Sequence, residues 1–161
     1  MTKTNAARIL DRLGINYELL AYEVDESDLS ARAVADKLNQ NIDQVFKTLV
    51  LHGDKSGIFV CIIPGAEELD LKKAAQISGN KSAAMVPMKE IFFLTGYLRG
   101  GCSPIGMKKN YPTFIDESCI LYDFIFVSAG IRGLQLKIAP DDLIKITSCQ
   151  TGDLLLNKNP D

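Results

Sequence analysis

Apolar and polar positions change period several times along this chain, and each change predicts an element. Ala6, Ala7, Ile9, Leu10 and Leu13 recur at three- and four-residue spacing. They predict an amphipathic helix capped by Thr4 and stopped at Gly14. Over residues 15–22 the period shortens to two, placing Tyr17, Leu19 and Ala21 on one face of a strand with Tyr22 at its end. An acidic stretch then leads to Ser30, which suits the cap of a helix over 31–38. The β-prone runs 45–51 and 57–63 flank Gly53-Asp54-Lys55-Ser56 and predict a hairpin. After Pro64-Gly65, the spacing of Leu69, Leu71, Ala74, Ala75 and Ile77 predicts a helix ending near Gly79, with Lys72 and Lys73 outward. Residues 83–86 read as a short strand, and Pro87 fits the first turn of a helix reaching Leu94. Beyond a glycine-rich loop, residues 113–115, 120–122, 124–128 and 134–138 read as strands, and Pro140 opens a last helix. Residues 151–161 read as loose. With no repeat or linker, the expectation is one mixed α/β domain over 1–161.

Composition narrows the classes. The chain has 161 residues, 47% hydrophobic and 24% charged, an ordinary globular balance. A net charge of -2 supplies no general field for nucleic acid, so any such contact must be local or helped by a partner. No apolar run spans a membrane and the N-terminus lacks a signal peptide's apolar core, which points to the cytoplasm and no membrane. Cys61, Cys102, Cys119 and Cys149 are widely spaced and His52 is the single histidine, so neither a metal site nor a disulfide framework is expected.

Two features carry candidate chemistry. Lys47 shares a strand face with Val45, Leu49 and Leu51. An ammonium there snorkels to water, or meets an anion or a water-filled cleft. The second feature is Leu98-Arg99-Gly100-Gly101-Cys102-Ser103-Pro104-Ile105-Gly106, which cannot continue a helix or ordinary strand. It is either a tight connector or a loop whose amides converge on an oxyanion. Ile105 stands where a nucleophile elbow needs glycine, and the spacing of a phosphate-binding P-loop is missing. Cys102 with His52 remains open as a nucleophile and base. Lys47, the loop amides and the glycine turn carrying Arg132 suit polarising an acyl ester on a phosphate-bearing leaving group. That arrangement needs no protein nucleophile.

Val45-Phe46-Lys47-Thr48-Leu49, Leu69-Asp70-Leu71-Lys72-Lys73, Thr95-Gly96-Tyr97-Leu98, Gly100-Gly101-Cys102-Ser103-Pro104-Ile105-Gly106-Met107-Lys108-Lys109, Pro112-Thr113 with Ile115-Asp116, and Ser128 with Arg132-Gly133-Leu134 stand in an order and spacing that resemble one family. It is the YbaK-type aminoacyl-tRNA deacylases, related to the editing domain of bacterial prolyl-tRNA synthetases. The resemblance covers nearly the whole chain. It implies a mixed, barrel-like sheet of six or seven strands flanked by helices. It also implies trans-editing of mischarged tRNA(Pro), most typically Cys-tRNA(Pro). A monomer without cofactor is expected, touching mainly the acceptor end, and because a few phosphate contacts cannot read a whole tRNA, prolyl-tRNA synthetase is the expected partner. Lys47 matches the family's essential lysine, which holds the terminal nucleotide, and Gly101 a glycine facing the aminoacyl carbonyl. Gly100, Cys102, Ser103, Pro104 and Arg132 fall in the same pocket motifs, and Tyr22 matches a pocket tyrosine across a one-residue gap. Gln135 departs from the aspartate of cysteinyl deacylases, and an amide cannot pair with a substrate ammonium as a carboxylate does. For the cysteinyl branch the resemblance implies attack by the substrate's own thiol. Two rival readings stay open: a non-catalytic aminoacyl- or nucleotide-binding module, and a cysteine hydrolase using Cys102.

Overall fold

The computed structural model of the chain describes residues 3–156. Helix α1 (Asn5–Arg12) starts where Thr4 Oγ1 accepts from the Ala7 N–H, and buries Ala6, Ala7 and Leu10. Strand β1 (Tyr17–Ala21) follows, then α2 (Ala31–Leu38), capped by Ser30. The hairpin of β2 (Phe46–Gly53) and β3 (Gly57–Pro64) is paired in register from Phe46–Pro64 to Gly53–Gly57. Its turn is organised by the buried Asn80, whose Oδ1 accepts from the Lys55 and Ser56 N–H groups at 2.8 Å each. Helix α3 (Leu71–Ile77), capped by Asp70, leads to β4 (Ala83–Met85). A 3-10 turn over Met88–Glu90 runs into α4 (Ile91–Thr95). Beyond the glycine loop come β5 (Thr113–Asp116), β6 (Ile125–Ser128), β7 (Leu134–Ile138), α5 (Pro140–Thr147) and β8 (Gln150–Gly152).

The strands form two sheets, ordered β1-β7-β6 and β4-β2-β3-β5-β8. They meet at one isolated bridge, between Val45 just before β2 and Phe126 in β6. The mixed α/β architecture matches the sequence reading, with the sheet split in two and no closed barrel. The main core lies between α1, α5 and both sheets, around Leu10, Ile62, Ile115, Ile125, Val127, Leu136 and Leu143. A second cluster, around Leu51, Phe59 and Ile63, takes in Leu154.

Two expectations are corrected. Residues 120–122 are not a strand: Glu117–Leu121 is a 3-10 turn capped by the Asp116 carboxylate, and Ile120 and Leu121 face water. An apolar triplet has no partner to pair with there, and capping wins locally. The segment from Thr151 is not loose within the described residues. β8 pairs in parallel with β5, Leu155 bridges Leu69, and Leu154 is fully buried with its N–H on Asp116 Oδ1 at 3.0 Å. Residues 157–161 of that reading lie outside the described residues.

Candidate functional site

A cleft of about 630 Å³ opens where the two sheets meet. One wall is β2 from Phe46 to Leu49 and another the start of α2; Arg99, Gly100 and Cys102 close it from the glycine loop, and Ser128 and Gln135 from the three-stranded sheet. Gly65 lets two of these walls meet. A Cβ built there would lie 2.2 Å from that of Ala31, so only glycine admits α2 this close. The Gly65 N–H is fixed on the Val45 carbonyl at 2.7 Å.

Lys47 is half-buried, lines the cleft, and makes no ion pair or hydrogen bond among the described residues. Burial pushes its pKa down, and the nearby Glu68 and Glu67 partly counter that. The result is a cation desolvated on one side and unpaired, which an anionic group in the cleft would satisfy.

The glycine loop is bent at Gly100, whose φ of +81° suits glycine. Gly100 and Gly101 lie against Arg132: built Cβ atoms would come 3.1 Å from its Nε and its backbone nitrogen respectively. The Gly101 N–H is already donated to the Leu98 carbonyl at 2.9 Å, and Gly101 does not line the cleft. The Gly100 and Cys102 N–H groups, in residues that do line it, donate to nothing among the described residues. The sequence places the amide site at Gly101; among the described residues, the N–H groups left undonated at this bend are those of its two neighbours.

Gln135 is 5% exposed, and its Oε1 has no hydrogen-bond partner among the described residues. Thr48 Oγ1, also in the cleft wall, is orphaned in the same way. Unpaired buried acceptors are costly; both residues line the cleft, while the two oxygens themselves are sealed from solvent. Thr48, Ser128, Arg99 and the start of α2 line the cleft without having been singled out as site residues. Thr48 and Ser128 stand in the motifs that carry the resemblance, and Arg99 and the start of α2 adjoin the glycine loop and the Ser30 cap.

The other sequence candidates fall outside this lining. Ser103 is fully buried, its Oγ accepting from the Ile105 N–H, and so shapes the loop from behind. Pro104 faces a second cleft with Asn5 and Lys109. Tyr22 packs against the cluster of Val34, Ala35, Val45 and Phe126 and is not in the cleft lining. The Arg132 guanidinium is spoken for, with Nε on the Arg99 carbonyl and Nη1 on Glu26, both at 2.7 Å. It fixes the loop that carries Gly100. Lys73, read as outward, is bound to Asp153 at 2.8 Å and to the Leu155 carbonyl at 2.7 Å.

The cysteine arrangement does not assemble. His52 is exposed, lies five residues along β2 from Lys47, roughly 16 Å from that end of the strand, and is not in the lining of the cleft that holds Cys102. Burial pushes the Cys102 thiol up to about 11, with a Thr95 hydrogen bond partly offsetting it. A neutral thiol without a base is a poor nucleophile at neutral pH.

A family model for the aminoacyl-tRNA editing domain matches residues 26–146. A protein of Enterococcus faecalis named "Putative Cys-tRNA(Pro)/Cys-tRNA(Cys) deacylase EbsC" is 45% identical over 152 residues, covering 94% of this chain and 93% of that one. Among solved structures, one described as "a putative trans-editing enzyme for prolyl tRNA synthetase" superposes with a TM-score of 0.81 at 24% identity, covering 98% of this chain and all of the other (100%). A hypothetical protein, APE2540, superposes at 0.84 with 20% identity over 92% of this chain and 97% of its own. The last two likenesses establish the fold.

Proposed function

The chain belongs to the aminoacyl-tRNA editing family and is an aminoacyl-tRNA deacylase; on that premise we propose that it works in trans on mischarged tRNA(Pro), with cysteine as the amino acid removed. One observation carries the site assignment. An unpaired lysine, residues with free backbone N–H groups, and the residues that carry two buried unpaired acceptors line a single cleft. In this reading Lys47 holds the ribose-phosphate side of the terminal nucleotide. The Gly100 and Cys102 N–H groups receive the oxyanion that forms when the ester carbonyl is attacked. The substrate thiol is the attacking group: sulfur bonds to the carbonyl carbon, the bond to the ribose oxygen breaks, and the thiol proton goes to that oxygen. The amino acid leaves as a thiolactone. No protein nucleophile takes part, and the enzyme contributes positioning and charge stabilisation.

Gln135 sets this chain apart within the scheme. Its amide oxygen accepts from a thiol, a hydroxyl or an amine but adds no negative charge opposite the α-ammonium. Selection therefore rests on donor geometry and on the chemistry of the side chain. The protein is proposed to act as a cytoplasmic monomer, brought to its substrate by prolyl-tRNA synthetase.

The test is a panel of tRNA(Pro) charged with cysteine, alanine, serine and proline. Rapid deacylation of the cysteinyl ester, with the prolyl ester spared, is the expected result. Equal rates on all four esters would overturn substrate-thiol attack, and no turnover of any would leave only a binding module.

A further inference from the structure

Helix α4 turns both of its phenylalanines to water. Phe92 is 54% and Phe93 76% exposed, and Met88 and Leu98 beside them are exposed as well. Such a patch is unfavourable in a monomer unless something covers it. Lys108 is held over it, its Nζ 5.3 Å from the Phe92 ring centre and 5.7 Å from that of Phe93. The same Nζ donates to the Phe93 carbonyl at 3.3 Å, which ties the ammonium to the two rings.

Charge tells what kind of molecule covers the patch. Residues 88–109 contain Lys89, Arg99, Lys108 and Lys109 against the single carboxylate of Glu90, whereas the whole chain is at -2. Exposed rings interleaved with cations are the pattern that binds single-stranded nucleic acid, with bases stacked on the rings and phosphates beside the cations. Position tells which part. The helix ends at Gly96, and the chain reaches the cleft at Arg99 and Gly100. Four residues span at most about 14 Å. A strand whose last nucleotide sits in the cleft would thus pass its preceding bases over the rings.

We propose that Phe92, Phe93 and Lys108 form a stacking platform for the unpaired nucleotides that precede the esterified terminal one. The proposal rests on the deacylase reading for which strand is bound, and its test separates the two. An RNA hairpin copying the acceptor stem, with its unpaired 3′ tail or with a blunt end, is titrated against the parent protein, the Phe92→Ala/Phe93→Ala double variant and Phe93→Trp. Because both rings lie in water, the alanine variants are expected to keep the fold, checked by circular dichroism. The double variant should lose at least about fivefold in affinity for the tailed hairpin and nothing for the blunt one, while Phe93→Trp retains binding. In deacylation of Cys-tRNA(Pro), KM should rise by a similar factor with kcat kept. Hydrolysis of cysteinyl-adenosine, which has no preceding nucleotides, should be unchanged. Equal affinity of all three proteins for the tailed hairpin overturns the platform. So does a loss seen only in binding to prolyl-tRNA synthetase, which would make the patch a protein interface. If the parent binds the tail as expected but hydrolyses neither ester, the platform stands and the deacylase reading falls.

Discussion

Lys47 keeps a charge on a half-buried strand, and the folded state bears a cost for it. Its pKa lies below the usual lysine value of 10.5 because burial disfavours the ammonium more than Glu68 and Glu67 favour it. The cost is therefore present at neutral pH, where folded and unfolded chains are both protonated. It fades as pH rises from the lowered folded value to 10.5. Lys47→Met should abolish deacylation while leaving the denaturation midpoint no lower than the parent's at pH 7, and any gain should shrink toward pH 10.5. Paired guanidinium titrations at the two pH values check this; a folded, active Lys47→Met would remove Lys47 from the mechanism. Cys102 should behave in the opposite way. With its thiol pushed up to about 11, Cys102→Ala should keep most activity, and an alkylating agent should inactivate slowly at pH 7. Loss of turnover with tRNA binding intact would restore the nucleophile reading. Lys47 was legible in sequence because a cation among Val45, Leu49 and Leu51 contradicts its strand. The orphaned acceptors of Thr48 and Gln135 were not, because an unmade hydrogen bond exists only once neighbouring elements have closed around it. The turn back to Leu98 that takes up the Gly101 N–H is likewise a property of the folded loop.

At the scale of elements, the cleft depends on how closely α2 approaches the end of β3. Gly65→Ala would drive a methyl group into Ala31, so either α2 moves or the turn does. The expected cost is about 1–3 kcal/mol, as for other overpacked sites. A rise in KM larger than the stability loss explains should accompany it, because α2 forms one wall. A crystal structure or chemical-shift map of the variant would show displacement confined to α2 and the turn; an unperturbed α2 with normal kinetics would contradict this account. Local signals made most elements readable. Thr4 and Ser30 sit at helix starts with side chains that accept the first free N–H groups, and the β2–β3 hairpin follows from two apolar runs around a polar turn. What failed was pairing at a distance. Residues 120–122 have strand composition but no neighbouring edge, and β8 is a strand only because β5 offers one.

The whole molecule is an acidic protein with a local basic patch. Its Arg132 is committed to Glu26 and the Arg99 carbonyl, and Lys73 to Asp153 and the Leu155 carbonyl. Few cations are left for phosphate, so affinity for free tRNA should be weak. Its logarithm should fall with the logarithm of salt with a slope of roughly -2 to -3, corresponding to about three or four contacts. Such contacts do not read the body of a tRNA. The protein alone should therefore barely distinguish Cys-tRNA(Pro) from Cys-tRNA(Cys), and added prolyl-tRNA synthetase should raise the preference by increasing effective concentration. Rates on both substrates, with and without the synthetase across a salt series, decide it; strong selectivity by the protein alone would dispose of the partner. The sheets themselves hold a last consequence. Among the described residues only the Val45–Phe126 bridge links them by strand pairing, and the cleft draws its walls from both. A molecule seated there acts as a rivet across a seam. Binding of a non-hydrolysable aminoacyl-adenosine analogue should slow amide hydrogen exchange around Val45 and Phe126 and leave the distant edge strand β8 as it was, so that occupancy registers as stiffness.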